Sequence, residues 1–113
     1  MTVARSLMFG FVSLVVAGLY PQEALSKGFE NRHFLEMGDT QKKFWLDGAI
    51  TALSHVAASR DKKAGECVYN WYFGDKIADR NGLIIASMKK YPDIRPTAVL
   101  MALTERECGT YWK

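Results

Sequence analysis

A chain of 113 residues has room for one small domain and no more. Two histidines and two cysteines leave little stock for a metal centre, and Lys plus Arg exceed Asp plus Glu by only 15 to 12. The resulting charge of +3 is spread along the chain, which argues against the concentrated basic face of a nucleic-acid binder. The pairs Lys42-Lys43, Lys62-Lys63 and Lys89-Lys90 read as solvated surface.

The first element in chain order is a leader. Arg5 supplies a positive start, an apolar run extends from Leu7 to Leu19, and Pro21 breaks it. Ala24-Leu25-Ser26 then places small residues at the −3 and −1 positions of a cleavage site before Lys27. This is the pattern of a secretory signal peptide over residues 1–26, with a second cut available after Gly18. An uncleaved anchor is the competing reading, but the run is interrupted by Gly10, Ser13 and Gly18 and falls short of the roughly 20 residues a spanning helix needs. Residues 27–113 are therefore expected to form a single domain outside the cytoplasm, in the periplasm. The leader removes one charge of each sign, Arg5 and Glu23, so the mature balance is unchanged.

Helical periodicity dominates the mature chain. Arg32 to Met37 allows one or two turns, ended by Gly38. From Asp39 to about Ser59 the residues Trp45, Ala49, Ala52, Leu53 and Val56 recur at three- and four-residue steps, with Asp47, Thr51, Ser54 and Ala58 opposite. Asp39 or Thr40 is placed to cap this helix, and Gly48, Ala49 and Ala52 would let a second helix approach closely. The charged stretch Arg60 to Gly65 is expected to be a surface loop. Val68 to Phe73 is dense in aromatics and poor in helical period, which leaves strand and extended chain both open. Another helix is expected from Lys76 or Asp79 to Tyr91, stopped by Pro92, with Ile77, Ile84, Met88 and Tyr91 on one face. Pro96 suits the first position of a last helix that carries Val99, Leu100 and Leu103 and ends at Gly109. The sum is an all-α bundle of four or five short helices.

Cys67 and Cys108 both lie beyond the leader, and in an oxidising compartment an even count in a small domain reads as a disulfide. Closing a loop of about forty residues contributes roughly 4 kcal/mol in the chain-entropy model. The rival reading makes Cys67 a nucleophile with His55 or His33 as base, which needs a free thiol in the wrong compartment and ignores Cys108. His33 and His55 lack partners at ligand spacing, and neither a haem attachment site nor a paired Cys-x-x-Cys signature is present. No Gly-x-Ser-x-Gly, phosphate loop or His-Glu-x-x-His motif occurs, and Glu105 and Glu107 would point to different sides of a helix. No cofactor and no catalytic activity are expected. The aromatic run Tyr69, Trp71, Tyr72, Phe73 and the charged stretch Arg60 to Glu66 are the segments whose composition suits recognition of a protein.

The order of landmarks is Phe44-Trp45-Leu46-Asp47-Gly48-Ala49-Ile50, Cys67, Tyr91-Pro92-Asp93, Pro96-Thr97-Ala98-Val99-Leu100-Met101-Ala102-Leu103 and Cys108. It resembles the Rap/Tai-like family of small periplasmic immunity proteins. The likeness runs from Phe44 to Cys108. Val68-Tyr69 stands where the family often has a proline after the first cysteine, and Arg106-Glu107-Cys108 replaces a Trp-Pro-Cys ending. The resemblance implies an inhibitor of a peptidoglycan amidase delivered by type VI secretion, often acting as a homodimer. Inhibition then needs a rigid scaffold and a protrusion, formed here by Arg60–Glu66 and Tyr69–Phe73, with Arg60, Asp61, Lys62, Trp71 and Tyr72 as the expected partner contacts. The alternative is a periplasmic acid-stress chaperone of the Hde type, also small, helical and held by one disulfide.

Overall fold

Asp61 sets the architecture, because it ends one helix and starts the next without a loop between them. In the computed structural model, which describes residues 28–112, the chain forms α1 (Asn31–Glu36), α2 (Asp39–Arg60), α3 (Lys62–Tyr72), α4 (Ile77–Lys90) and α5 (Pro96–Cys108). No strand occurs among the described residues, and the fold is an all-α bundle. The leader lies outside them.

α1 is anchored by backbone rather than by length. Its first amide, Asn31 N–H, donates to the Ile94 carbonyl at 2.8 Å, Arg32 N–H donates to Pro92 at 3.1 Å, and Asn31 Nδ2 reaches the Tyr91 carbonyl at 2.8 Å. Three bonds thus hold this six-residue helix on the α4–α5 turn, and Phe34 drops into the core against Trp45. The cap of α2 is Gly38, not the expected Asp39 or Thr40, and the Gln41 side chain returns to its amide at 3.2 Å.

The buried stripe of α2 is Leu46, Ile50, Ser54 and Ala57. This corrects the expected face by about one residue: Ala52 and Val56 are exposed, whereas Ser54 is buried. Ser54 can turn inward because its hydroxyl donates to the Thr51 carbonyl at 2.7 Å, which meets its hydrogen-bonding need within the helix. Gly48 and Ala52 receive no helix either. The close approach is made at Gly65 of α3, where a Cβ would stand 2.5 Å from Ala58 Cβ and 2.8 Å from the Ser54 carbonyl oxygen.

The main core joins Phe34, Leu46, Ile50, Trp71, Tyr72, Ile84, Met88, Val99, Leu100 and Leu103, drawn from all five helices. A smaller cluster of Ala57, Val68 and Tyr111 lies beside it. Cys67 and Cys108 form the disulfide, with Cα atoms 5.7 Å apart, and Cys108 packs on the smaller cluster. Beyond α5, Gly109 adopts a φ of 79°, a conformation that favours glycine, and the chain turns so that Tyr111 is buried. Its hydroxyl shares a 2.8 Å hydrogen bond with Thr104.

Candidate interaction surface

The stretch expected to be a loop is a helical corner. Asp61 has extended backbone (φ −154°, ψ 120°), and its amide donates to the Ala57 carbonyl at 2.9 Å, closing α2. Its own carbonyl accepts from Gly65 at 3.1 Å, and its side chain accepts from Lys63 N–H at 3.2 Å, opening α3. A short acidic side chain that caps a helix is what a charged loop reading overlooks. Residues 58–63 are all exposed, so Arg60, Asp61 and Lys62 stand on a solvent-facing edge where α2 ends and α3 begins.

Below this edge, α2 and α3 border a shallow cleft of about 250 Å³ lined by Ser54, His55, Ala58, Lys62, Gly65, Glu66, Tyr69 and Asn70. Gly65 makes the cleft floor by allowing the helices to touch. Tyr69 is its aromatic wall: 45 % exposed, with its ring 4.6 Å from that of Phe73. A ring held by a neighbour loses little further freedom on binding, which is the property that makes aromatic side chains effective contacts.

Trp71 and Tyr72 are not on this surface. The segment Val68 to Phe73 is neither strand nor extended chain; it is the second half of α3, and its helical period turns Val68, Trp71 and Tyr72 inward. Trp71 is 6 % exposed and Tyr72 fully buried, so neither can offer area to a partner. Arg80 covers Trp71, with its guanidinium 5.0 Å from the ring and Nε donating to the Trp71 carbonyl at 3.0 Å. The Tyr72 hydroxyl donates to Asn81 Oδ1 at 2.6 Å, which also gives the mid-helix Asn81 a structural purpose. Burial pushes the Tyr72 phenol above the ordinary tyrosine range; the Asp47 charge acts in the same direction and the Asn81 bond opposes them. Tyr111 is raised likewise, chiefly by burial. Helical period from Lys62 would not have singled out Tyr69, which lies four residues after buried Gly65 and three before buried Tyr72; it is tertiary packing, with Arg80 of α4 over Trp71, that buries Trp71 and leaves Tyr69 exposed.

No group of three or more His, Cys, Asp or Glu side chains suited to holding a metal occurs among the described residues. No described helix is long and apolar enough to cross a membrane. His33 Nδ1 accepts the Glu30 amide at 3.0 Å within α1, whereas His55 lines the corner cleft; Cys67 is committed to the disulfide, so neither histidine has that sulfur to activate. No protein-family model, curated protein or solved structure matches the chain.

Proposed function

We propose that the chain is a periplasmic immunity protein that binds a peptidoglycan-degrading amidase effector of type VI secretion and blocks its active site. The observation that carries this reading is the α2–α3 corner: an exposed edge of mixed charge above a cleft walled by Tyr69, on a frame tied by Cys67–Cys108. Blocking an enzyme requires no chemistry of the inhibitor. It requires a shape that enters the cleft and a backbone that does not give way, since ordering a loose element on binding subtracts from affinity. A corner built from two capped helices meets that demand better than a loop would. The target class rests on the resemblance in the order of landmarks from Phe44 to Cys108.

The test is binding of the full chain, produced by export, to purified amidase effectors, read by calorimetry and by peptidoglycan hydrolysis. Lys62→Ala, Tyr69→Ala and Asp61→Asn, the last keeping the cap while removing the charge, are expected to weaken binding. Tyr69→Ala is expected to have the largest effect, about 30-fold or more, as befits a central aromatic contact. Full inhibition by all three variants would remove the corner from the interface, and an effector panel left unbound and uninhibited by the native chain would remove the function.

A further inference from the structure

The corner cleft gathers polar side chains that the fold itself does not use. His55 on α2 and Lys62, Glu66 and Asn70 on α3 line it, and all four are exposed. None of these side chains makes a hydrogen bond or an ion pair with another described residue. Ser54, in the same lining, has instead turned its hydroxyl to the Thr51 carbonyl. The uncommitted groups cover both senses of hydrogen bonding: Lys62 donates only, Glu66 accepts only, and the Asn70 amide does both. One lysine and one glutamate leave the cleft without a fixed net charge. Between the polar tips the lining is apolar, with Gly65 at the floor, the Ala58 methyl beside it and the half-exposed Tyr69 ring as the wall. Phe73 stands 4.6 Å from that ring at an interplanar angle of 37°, which braces it.

We infer that the cleft binds a neutral saccharide, one pyranose ring laid against Tyr69 with its hydroxyls shared among Glu66, Asn70, Lys62 and His55. One face of such a ring presents C–H groups, whose slight positive charge is drawn to the negative face of an aromatic ring. Its edge carries hydroxyls, each able to donate and to accept, so a single ring meets the donor-only Lys62 and the acceptor-only Glu66 together. An anion would gain Lys62 and lie against Glu66, and a cation would gain Glu66 and lie against Lys62, so each meets a like charge. A purely apolar ligand would strip water from the polar groups and return no hydrogen bond to them. The cleft volume of about 250 Å³ falls below the roughly 300–1,000 Å³ of sites for drug-sized ligands, which is room for one ring. Its open side leaves part of that ring in water, so the expected Kd is on the order of 1–10 mM. The inference goes beyond the inhibitor reading and does not rest on it; a sugar and an effector would exclude each other at Tyr69.

The test is amide NMR titration of the full chain, produced by export, with methyl β-glucopyranoside, with the methyl glycoside of N-acetylglucosamine, and with N-acetylglycine amide as a neutral peptide probe. At least one glycoside is expected to give saturable shifts confined to the α2–α3 corner, and the peptide probe none. Tyr69→Ala, a change at an exposed position, is expected to lower sugar affinity at least about tenfold with native circular dichroism, and Glu66→Gln and Lys62→Met about threefold each. A chain of four N-acetylglucosamine units separates the sources: clearly tighter binding than the glycoside assigns a polymer, equal binding a free sugar, and either keeps the site. No shift with either glycoside up to about 50 mM, or sugar shifts undiminished by Tyr69→Ala, would overturn the proposal. So would the peptide probe shifting the same amides as strongly, which would assign the cleft to a peptide. A chain that inhibits no amidase but binds the glycosides loses only the inhibitor reading, and one that inhibits through Tyr69 but ignores sugars loses only this site.

Discussion

Alanine at Gly65 tests whether the α2–α3 contact is as close as the geometry states. In an open helical position Gly→Ala stabilises by up to about 1 kcal/mol, because alanine restricts the unfolded chain and favours the helix. Gly82 and Gly48 are such positions, since a Cβ at either meets nothing within 4 Å. At Gly65 the added carbon would stand 2.5 Å from Ala58 Cβ and 2.8 Å from both Ala58 Cα and the Ser54 carbonyl oxygen. Ordinary carbon contacts are at about 3.5–4.0 Å, so the helices must part by roughly 1 Å. Two of the three obstacles are backbone, which cannot rotate aside. Overpacking of this kind costs about 1–3 kcal/mol, which exceeds the helix-propensity gain. Urea unfolding of the three variants under one set of conditions is the assay. Gly82→Ala and Gly48→Ala are expected to raise the midpoint and Gly65→Ala to lower it, with a melting temperature several degrees down on the scale of about 4–8 °C per kcal/mol. A Gly65→Ala protein as stable as the other two would refute the close contact, and with it the floor of the corner cleft.

Trp71→Ala is expected to destabilise by about 3–5 kcal/mol, as a large side chain lost from a core, and this in denaturant melts separates a core residue from a partner contact. Replacing both Cys67 and Cys108 by serine removes a constraint spanning 41 residues and is expected to cost up to about 4 kcal/mol, measured as the gap between oxidised and variant unfolding curves. Tyr72 and Tyr111 hold their protons above the ordinary value near 10, whereas the unfolded chain releases them there; stability is therefore full below about pH 10 and falls as pH rises beyond it. Tyr72→Phe should flatten that alkaline fall in pH-dependent melts, and an unchanged slope would contradict it. On acidification, little apolar surface should open to a hydrophobic dye, because Glu30 and Asp93 form their ion pairs with the half-exposed Arg32 and neither carboxylate belongs to the hydrophobic core. Strong dye binding in acid would instead favour the chaperone alternative.

The elements that depend on local chemistry were legible in the sequence. Pro96 at the first position of α5, Gly109 after its end and the stop of α4 before Pro92 all fall where backbone constraints put them. Two cysteines admit one intramolecular pairing. The orientation of α2 was not legible, because its two sides differ little in hydrophobicity: Phe44 and Val56 face water while Ser54 faces the core. Only the partner helix decides between such faces, and the partner is set by Gly65, which a sequence reading treats as a loop glycine. The burial of Tyr111 was equally hidden, since it depends on the turn at Gly109 and a hydroxyl partner seven residues back.

The candidate site shows the same division between what is local and what is tertiary. Charge alone placed Arg60, Asp61 and Lys62 at the surface, and the structure exposes all three. Aromatic composition could not say which ring faces out, because tyrosine and tryptophan serve core and interface alike. The decision rests on Asp61. Once its side chain caps α3, the segment is helical from Lys62 onward, and its packing takes Val68, Tyr72 and Trp71, the last under Arg80 of α4, inward while Tyr69 stays at the exposed edge. Phase also couples the corner to the rest of the molecule, since Cys67 is one residue before Val68 and two before Tyr69. A rotation of α3 that carried Trp71 to the surface would pull Cys67 from Cys108 and lift Gly65 off Ala58 together. The ring available for recognition is thus chosen by one cap, one close contact and one covalent bond acting on a single eleven-residue helix.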